Sequence, residues 1–126
     1  MQIILRDTIK NEILPGRMIQ KAIGKDSLSK SSCMTMGFAH YSQESGEMAP
    51  HHHAEEAIYV LEAKNSWARF GKDEMTLGDR IKLESGMTLH FPAWEWHVFG
   101  FNEGGYLDII FFYGQADQIR PEEKQT

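Results

Sequence analysis

The 126-residue chain has one cysteine, Cys33, so an internal disulfide is excluded. A reducing compartment is the simpler setting for such a protein. Positive charge is also in deficit, with 13 Lys and Arg against 18 Asp and Glu, a formal net charge of −5. A nucleic-acid partner, which needs a basic face, is not expected. No stretch approaches the roughly 18 consecutive apolar residues of a membrane span, so no membrane partner is expected either. The first residues, MQIILRDTIKNEIL, carry Arg6, Asp7 and Lys10 where a secretory signal needs an apolar core, which points to a cytoplasmic protein. Internal repeats and low-complexity segments are lacking, which excludes solenoids and compositional tails.

What remains is the composition of an ordinary globular domain, 41% hydrophobic and 25% charged. A chain of this length buries roughly two-thirds of its unfolded surface, enough for one core. We therefore expect one domain over residues 1–126, with N-terminal strands in 1–33, a core in about 34–113 and a polar tail in 114–126. Cys33, just before a strand, is expected to be buried and inert.

The hydrophobic pattern is mostly of period two. It marks strands at residues 34–43, 57–63, 66–71, 79–84, 88–91, 96–101 and 106–113. Gly-containing turn signals separate them, among them Ser85, Gly86 and the run Asn102, Glu103, Gly104, Gly105. Many short strands with such turns predict an all-β sandwich or barrel. The first 30 residues admit strands at QIILR and RMIQKAIG, and one or two helical turns within 7–14, ended by Pro15 and Gly16.

The chemistry-bearing residues are histidines. His51, His52 and His53 are consecutive, Glu55 and Glu56 follow, and His97 lies far down the chain. On a strand His51 and His53 share one face and His52 takes the other. A turn at Ala54 and Glu55 can return Glu56 to their side. A third imidazole from a distant strand would complete three nitrogens and one carboxylate, a set suited to Fe, Mn, Zn, Ni or Cu with positions left open. Taken alone, three successive histidines can equally be a solvated accident.

The segment GEMAPHHHAEEAIYVLEA, residues 46–63, resembles the first motif of the cupin superfamily: a Gly, a His-x-His pair, a Glu and a strand end like YVLE. The segment GMTLHFPAWEWH, residues 86–97, resembles the second: a Gly, a Pro and a final His. The resemblance, over about residues 34–113, implies a single small jelly-roll β-barrel of the RmlC-like type, with at most a short N-terminal helix. It implies a divalent transition metal (Fe, Mn, Zn or Ni) inside the barrel, and a homodimer. Two ligand sets fit it. His51, His53, Glu56 and His97 keep the His-x-His pair but shorten the hairpin by one residue. His52, Glu56 and His97 need no gap. Ala63 stands where the family has Gly, and Trp94 and Phe101 replace the second motif's usual Gly and Asn.

If His97 faces inward, alternation turns Glu95, Phe99 and Phe101 the same way and Trp94 and Trp96 away. Glu95 is then a candidate general base, or simply a surface residue at a strand start. One of His40 and Tyr41 must face inward, and Tyr41 is the second catalytic candidate; His90 could line the mouth. Apolar residues such as Met36, Phe38, Phe99 and Phe111 would wall a pocket for a small organic ligand. No Arg or Lys cluster for a phosphorylated substrate is evident, since Arg69, Lys72, Arg80 and Lys82 read as exposed. Trp67, Trp94, Trp96, Phe111, Phe112 and Tyr113 are more aromatic surface than one barrel easily hides, which agrees with a dimer.

The expected function is a metal-dependent, dioxygenase-, isomerase- or lyase-type enzyme acting on a small molecule. The alternatives are a non-catalytic ligand-binding or sensor barrel and a metal-free, epimerase-like barrel. An acid or base beside the metal separates the first from the second.

Overall fold

The computed structural model of the chain describes residues 1–123. Its strands are β1 (Glu12–Leu14), β2 (Arg17–Gly24), β3 (Ser29–Lys30), β4 (Thr35–Ser42), β5 (Glu56–Gly71), β6 (Ile81–Lys82), β7 (Thr88–Phe91) and β8 (Trp96–Tyr113). Helical structure among the described residues is confined to three 3₁₀ turns, at Arg6–Thr8, Gln43–Ser45 and Pro121–Glu123. The strands run in the order β1-β2-β4-β8-β5-β6, with β3 on β2 and β7 on β5. All pairings are antiparallel except the two-residue contact of β2 with β3.

Two strands are longer than the sequence pattern suggests. The segments 57–63 and 66–71 are one strand, β5, and 96–101 and 106–113 are one strand, β8. The turn expected at Asn102–Gly105 does not reverse the chain. β8 keeps β5 as its partner on both sides of it, from Trp96 opposite Gly71 to Tyr113 opposite Glu56. The extra residues leave the ladder as a bulge opposite Asn65, which takes a left-handed φ of 47°. Bulges bend and twist a strand. Here they let each long strand serve both walls, so that the Tyr41 ring of β4 meets the Phe99 ring of β8 edge-on, centroids 5.2 Å apart.

Alternation decides what lies between the walls. Ile19, Ala39, Tyr41, Ile58, Val60, Phe99, Leu107, Ile109 and Phe111 are buried in one cluster. Gly37, opposite Phe111 on β8, has no room for a side chain: a Cβ there would run into the Phe111 ring and the Gln20 carbonyl.

The N-terminal segment is partly as expected. RMIQKAIG is β2, but QIILR forms no strand, and only one 3₁₀ turn precedes β1. Arg6 holds this segment to the outer face of the sheet. Its guanidinium donates two 2.7 Å hydrogen bonds to Asp108 and a third, of 2.9 Å, to Gln20. His40 adds a 3.1 Å contact to the same carboxylate. Burial raises the Asp108 carboxyl, but the Arg6 and His40 hydrogen bonds outweigh it and hold the group below its ordinary value. Asp108→Asn is expected to cost about 1–3 kcal/mol, the range for a charge-assisted pair, and to expose residues 1–11 to protease first. Urea denaturation and timed proteolysis would measure both.

Cys33 is exposed rather than buried, because it lies in the loop ahead of β4 and not on its inward row. The polar tail packs. The Ala54 amide donates to the Ile119 carbonyl at 2.8 Å, and the Ile119 side chain is buried. Fraying of the tail's end concerns residues 124–126, which lie outside the described residues.

Candidate metal centre

The first two histidines approach the barrel on an irregular segment between β4 and β5. His51 pairs with His97 in an antiparallel bridge, with N–O distances of 3.0 and 2.9 Å. That bridge joins the two sequence motifs. His53 and Glu56 lie beyond it, at the entry to β5, and both are buried.

Each imidazole has its tautomer set by a backbone carbonyl. His51 Nδ1 meets Ala49 O at 3.1 Å, His53 Nδ1 meets Ala54 O at 2.9 Å, and His97 Nδ1 meets Glu95 O at 3.0 Å. A carbonyl only accepts, so each Nδ1 carries the hydrogen and each Nε2 keeps its lone pair. The ligand nitrogens of His51, His53 and His97 lie within 4.8 Å of one another. His53 Nε2 and His97 Nε2 are 3.0 Å apart. Two lone pairs facing each other at that distance repel unless a proton or a metal ion lies between them. Two nitrogens bound to one metal at right angles, with bonds of about 2.1 Å, sit about 3 Å apart. The residues therefore fit a metal ion.

Electrostatics agree. Burial pushes His51 and His53 down to about 4, and His97 lower still. All three are uncharged near neutrality, as metal ligands must be. Burial raises Glu56 to about 8, against the lowering effect of a hydrogen bond from Tyr113 and of the Arg120 and Arg17 charges. The 3.4 Å contact between His53 Nε2 and Glu56 Oε1 joins two neutral groups near pH 7 and is no ion pair. Burial also raises the Tyr41 and Tyr113 hydroxyls, assisted by Glu56, so both stay protonated donors.

Of the two ligand sets the sequence leaves open, it is the three histidines of the His-x-His one, His51, His53 and His97, that come together, with buried Glu56 beside them, 3.4 Å from His53 Nε2. His52 is turned out of it, stacked on Trp96 with centroids 4.1 Å apart and its Nδ1 3.3 Å from Trp94 O. Trp96 turns away from His97 as alternation requires, and what it meets is His52. Glu95 does not share the inward face. It is half-exposed and absent from the cavity lining, and it serves the site through its carbonyl. The cause is Trp94, whose φ of 66° interrupts the strand geometry on which the parity rests. His90 pairs outside with Glu55 at 2.6 Å, and His40 with Asp108. Tyr41 alone among these acid–base candidates lines the cavity.

That cavity measures about 590 Å³ and is lined by His51, His52, His53 and Glu56, by Tyr41, Phe99, Phe111 and Tyr113, and by the half-buried Arg17 and Arg120. The two arginines correct the expectation of a pocket without cationic groups. Arg17 was legible in principle, because it shares the inward parity of Ile19 on β2. Arg120 lies in the polar tail, where no sequence pattern marks it.

The two histidine motifs converge on one antiparallel sheet system, and the chain has the cupin fold. Among solved structures, the polyketide cyclase RemF from Streptomyces resistomycificus matches with a TM-score of 0.74 and 25% identity, over 96% of this chain and 82% of the cyclase. A protein from Planctomyces limnophilus matches with a TM-score of 0.68 and 16% identity, over 98% and 94% of the two chains. Hydroxypropylphosphonic acid epoxidase from S. wedmorenis matches with a TM-score of 0.65 and 13% identity, over 89% of this chain and 58% of the epoxidase. No family model matches the chain, and no curated protein matches it in sequence.

Proposed function

We propose that the protein is a metal-dependent enzyme acting on a small organic molecule, with a divalent transition metal held by His51, His53, His97 and Glu56. The observation that carries this reading is the convergence of three Nε2 lone pairs, each enforced by a carbonyl behind the ring. A metal so held supplies Lewis acidity toward a substrate oxygen. The chain supplies the rest. In this reading Phe99 and Phe111 exclude water, Tyr113 holds Glu56, and Tyr41, a protonated donor on the cavity wall, gives a hydrogen bond to substrate.

The likeness to a polyketide cyclase supports isomerase- or lyase-type chemistry at a carbonyl. Structures of the epoxidase described as its Fe(II) form support dioxygen chemistry instead. We take the first as the leading reading. A suitable probe is 4-acetylbenzoate in deuterated water, with methyl exchange followed by proton NMR. Exchange is expected to be faster with the metal-loaded protein than with the metal-free protein, and slower in Tyr41→Phe although its metal is retained. If zinc-, manganese-, nickel- and iron-loaded protein all fail to exceed the protein-free rate, this reading is lost. The second reading, a non-catalytic binding barrel, rests on the absence of Glu95, His90 and His40 from the cavity lining, which leaves Tyr41 alone of those four candidates on it.

A further inference from the structure

The cavity lining grades in burial and chemistry. Buried His53 and Glu56 and the buried apolar Ile19, Phe99 and Phe111 form its interior lining. Its less buried rim carries Arg17 and Arg120, both half-buried, together with the exposed Glu47 and Glu122. The two arginines come from opposite ends of the chain, and the fold takes trouble to bring each one there.

Arg17 opens β2 directly after Gly16, whose φ of 83° only glycine adopts without strain. A Cβ on Gly16 would stand 2.9 Å from the Met48 Cα, so this residue lets β2 begin flush against the segment that leads to His51. The Gly16 amide donates to Ser45 O at 2.9 Å and closes that contact. Arg120 is carried by the tail, anchored on one side by buried Ile119 and its carbonyl bond to Ala54, and on the other by the Glu123 carboxylate, which accepts from the Ile119 amide at 2.9 Å.

Among the described residues, neither guanidinium is held by an ion pair. Arg17 makes one 3.4 Å hydrogen bond, to the Pro15 carbonyl. Arg120 has no side-chain hydrogen bond or ion pair among the described residues. Two half-buried guanidiniums facing a cavity with little of their donor capacity used are built to receive an oxyanion, which they can bind in the forked manner peculiar to arginine.

We propose that Arg17 and Arg120 form a carboxylate-binding end of the cavity, and that the substrate is an amphipathic organic acid. Its carboxylate sits at the rim, its apolar body lies along Phe99 and Phe111, and a second oxygen group points to the histidine cluster. Charge at the rim favours a monoanion over a phosphate dianion, since the exposed Glu47 and Glu122 line the same cavity as the two arginines. A cavity of about 590 Å³ suits a small drug-sized acid. This assignment deepens the metal-enzyme reading by naming its substrate class and rests on it for the inner oxygen group alone.

The test is calorimetric titration of the full chain, metal-free and zinc-loaded, with 4-acetylbenzoate and with its neutral amide, 4-acetylbenzamide. The acid is expected to bind roughly tenfold or more tightly than the amide, in both forms of the protein. The Arg17→Gln, Arg120→Gln double variant should erase that preference while keeping its zinc. The Arg17→Lys, Arg120→Lys variant, which keeps both charges, should retain most of it. Equal binding of acid and amide, an acid preference that survives the double Gln variant, or no binding of either probe would each overturn the proposal. An acid preference in protein that takes up no zinc would uphold the carboxylate end and remove the metal centre. Zinc uptake without an acid preference would do the reverse.

Discussion

Replacing His53 by Ala is expected to abolish stoichiometric metal, whereas His52→Ala leaves it in place. The contrast is large because neighbouring residues play unrelated parts. His53 Nε2 lies 3.0 Å from His97 Nε2 and its Nδ1 is tied to Ala54 O, so removing the ring deletes a preset ligand. His52 stacks on Trp96 and offers nothing to the cluster. Even the partners behind metal-bound rings are worth about 10–100-fold in affinity, so loss of a ligand itself should exceed that. Elemental analysis of protein purified without a tag gives the content, and competition with a chelator gives the affinity. Stability offers an independent reading. A metal bound at a hundred times its Kd adds about 2.7 kcal/mol to the native state. Wild type and His52→Ala should therefore melt several degrees higher with metal than without, and His53→Ala should not respond. Metal retained in His53→Ala and lost in His52→Ala would restore the gapless ligand set.

The metal-free protein should have a narrow stability optimum in pH, with both limbs set by the same cluster. His51 and His53 have folded values near 4 and ordinary values of 6.5. Below 6.5 the unfolded chain takes up protons that the folded chain refuses, so stability is lost as pH falls toward 4. Glu56 acts in the opposite sense. Its folded value is about 8 and its ordinary value 4.5, so the folded chain keeps a proton that the unfolded chain releases. That contribution is complete below 4.5 and is lost as pH rises through 8. Urea denaturation across pH 4–9 should show a maximum near pH 6.5, where the two half-protonated histidines of the unfolded chain balance the one proton kept by folded Glu56. Glu56→Gln, which cannot ionise, should flatten the alkaline limb and leave the acid limb. Metal should flatten it too, because a coordinated Glu56 gives up its proton on binding. That release is measurable by calorimetry in two buffers of different ionisation enthalpy, and should vanish in Glu56→Gln. An alkaline limb unchanged in Glu56→Gln would remove the carboxyl from this role.

The sequence by itself determined the all-β class, the two histidine motifs and the apolar rows of the barrel. Those properties follow from period-two alternation and local turn chemistry, which act over a few residues. The parity that separates His52 from His51 and His53 is of the same kind. Only the tertiary structure decided where alternation stops being a guide. Asn102 to Gly105 read as a turn but bulge out of one long strand, because β5 pairs with β8 on both sides of them. Alternation left Glu95 either inward or at the surface, and the left-handed backbone at Trp94 takes it out of the inward row. The tertiary structure also decided which distant residues meet. His51 thereby meets His97 across the chain, in the bridge that joins the two motifs. The cavity rim joins Arg17 to Arg120, and no pattern in either segment encodes that pairing. Such contacts arise from chain closure over long separations, which leaves no local period to read.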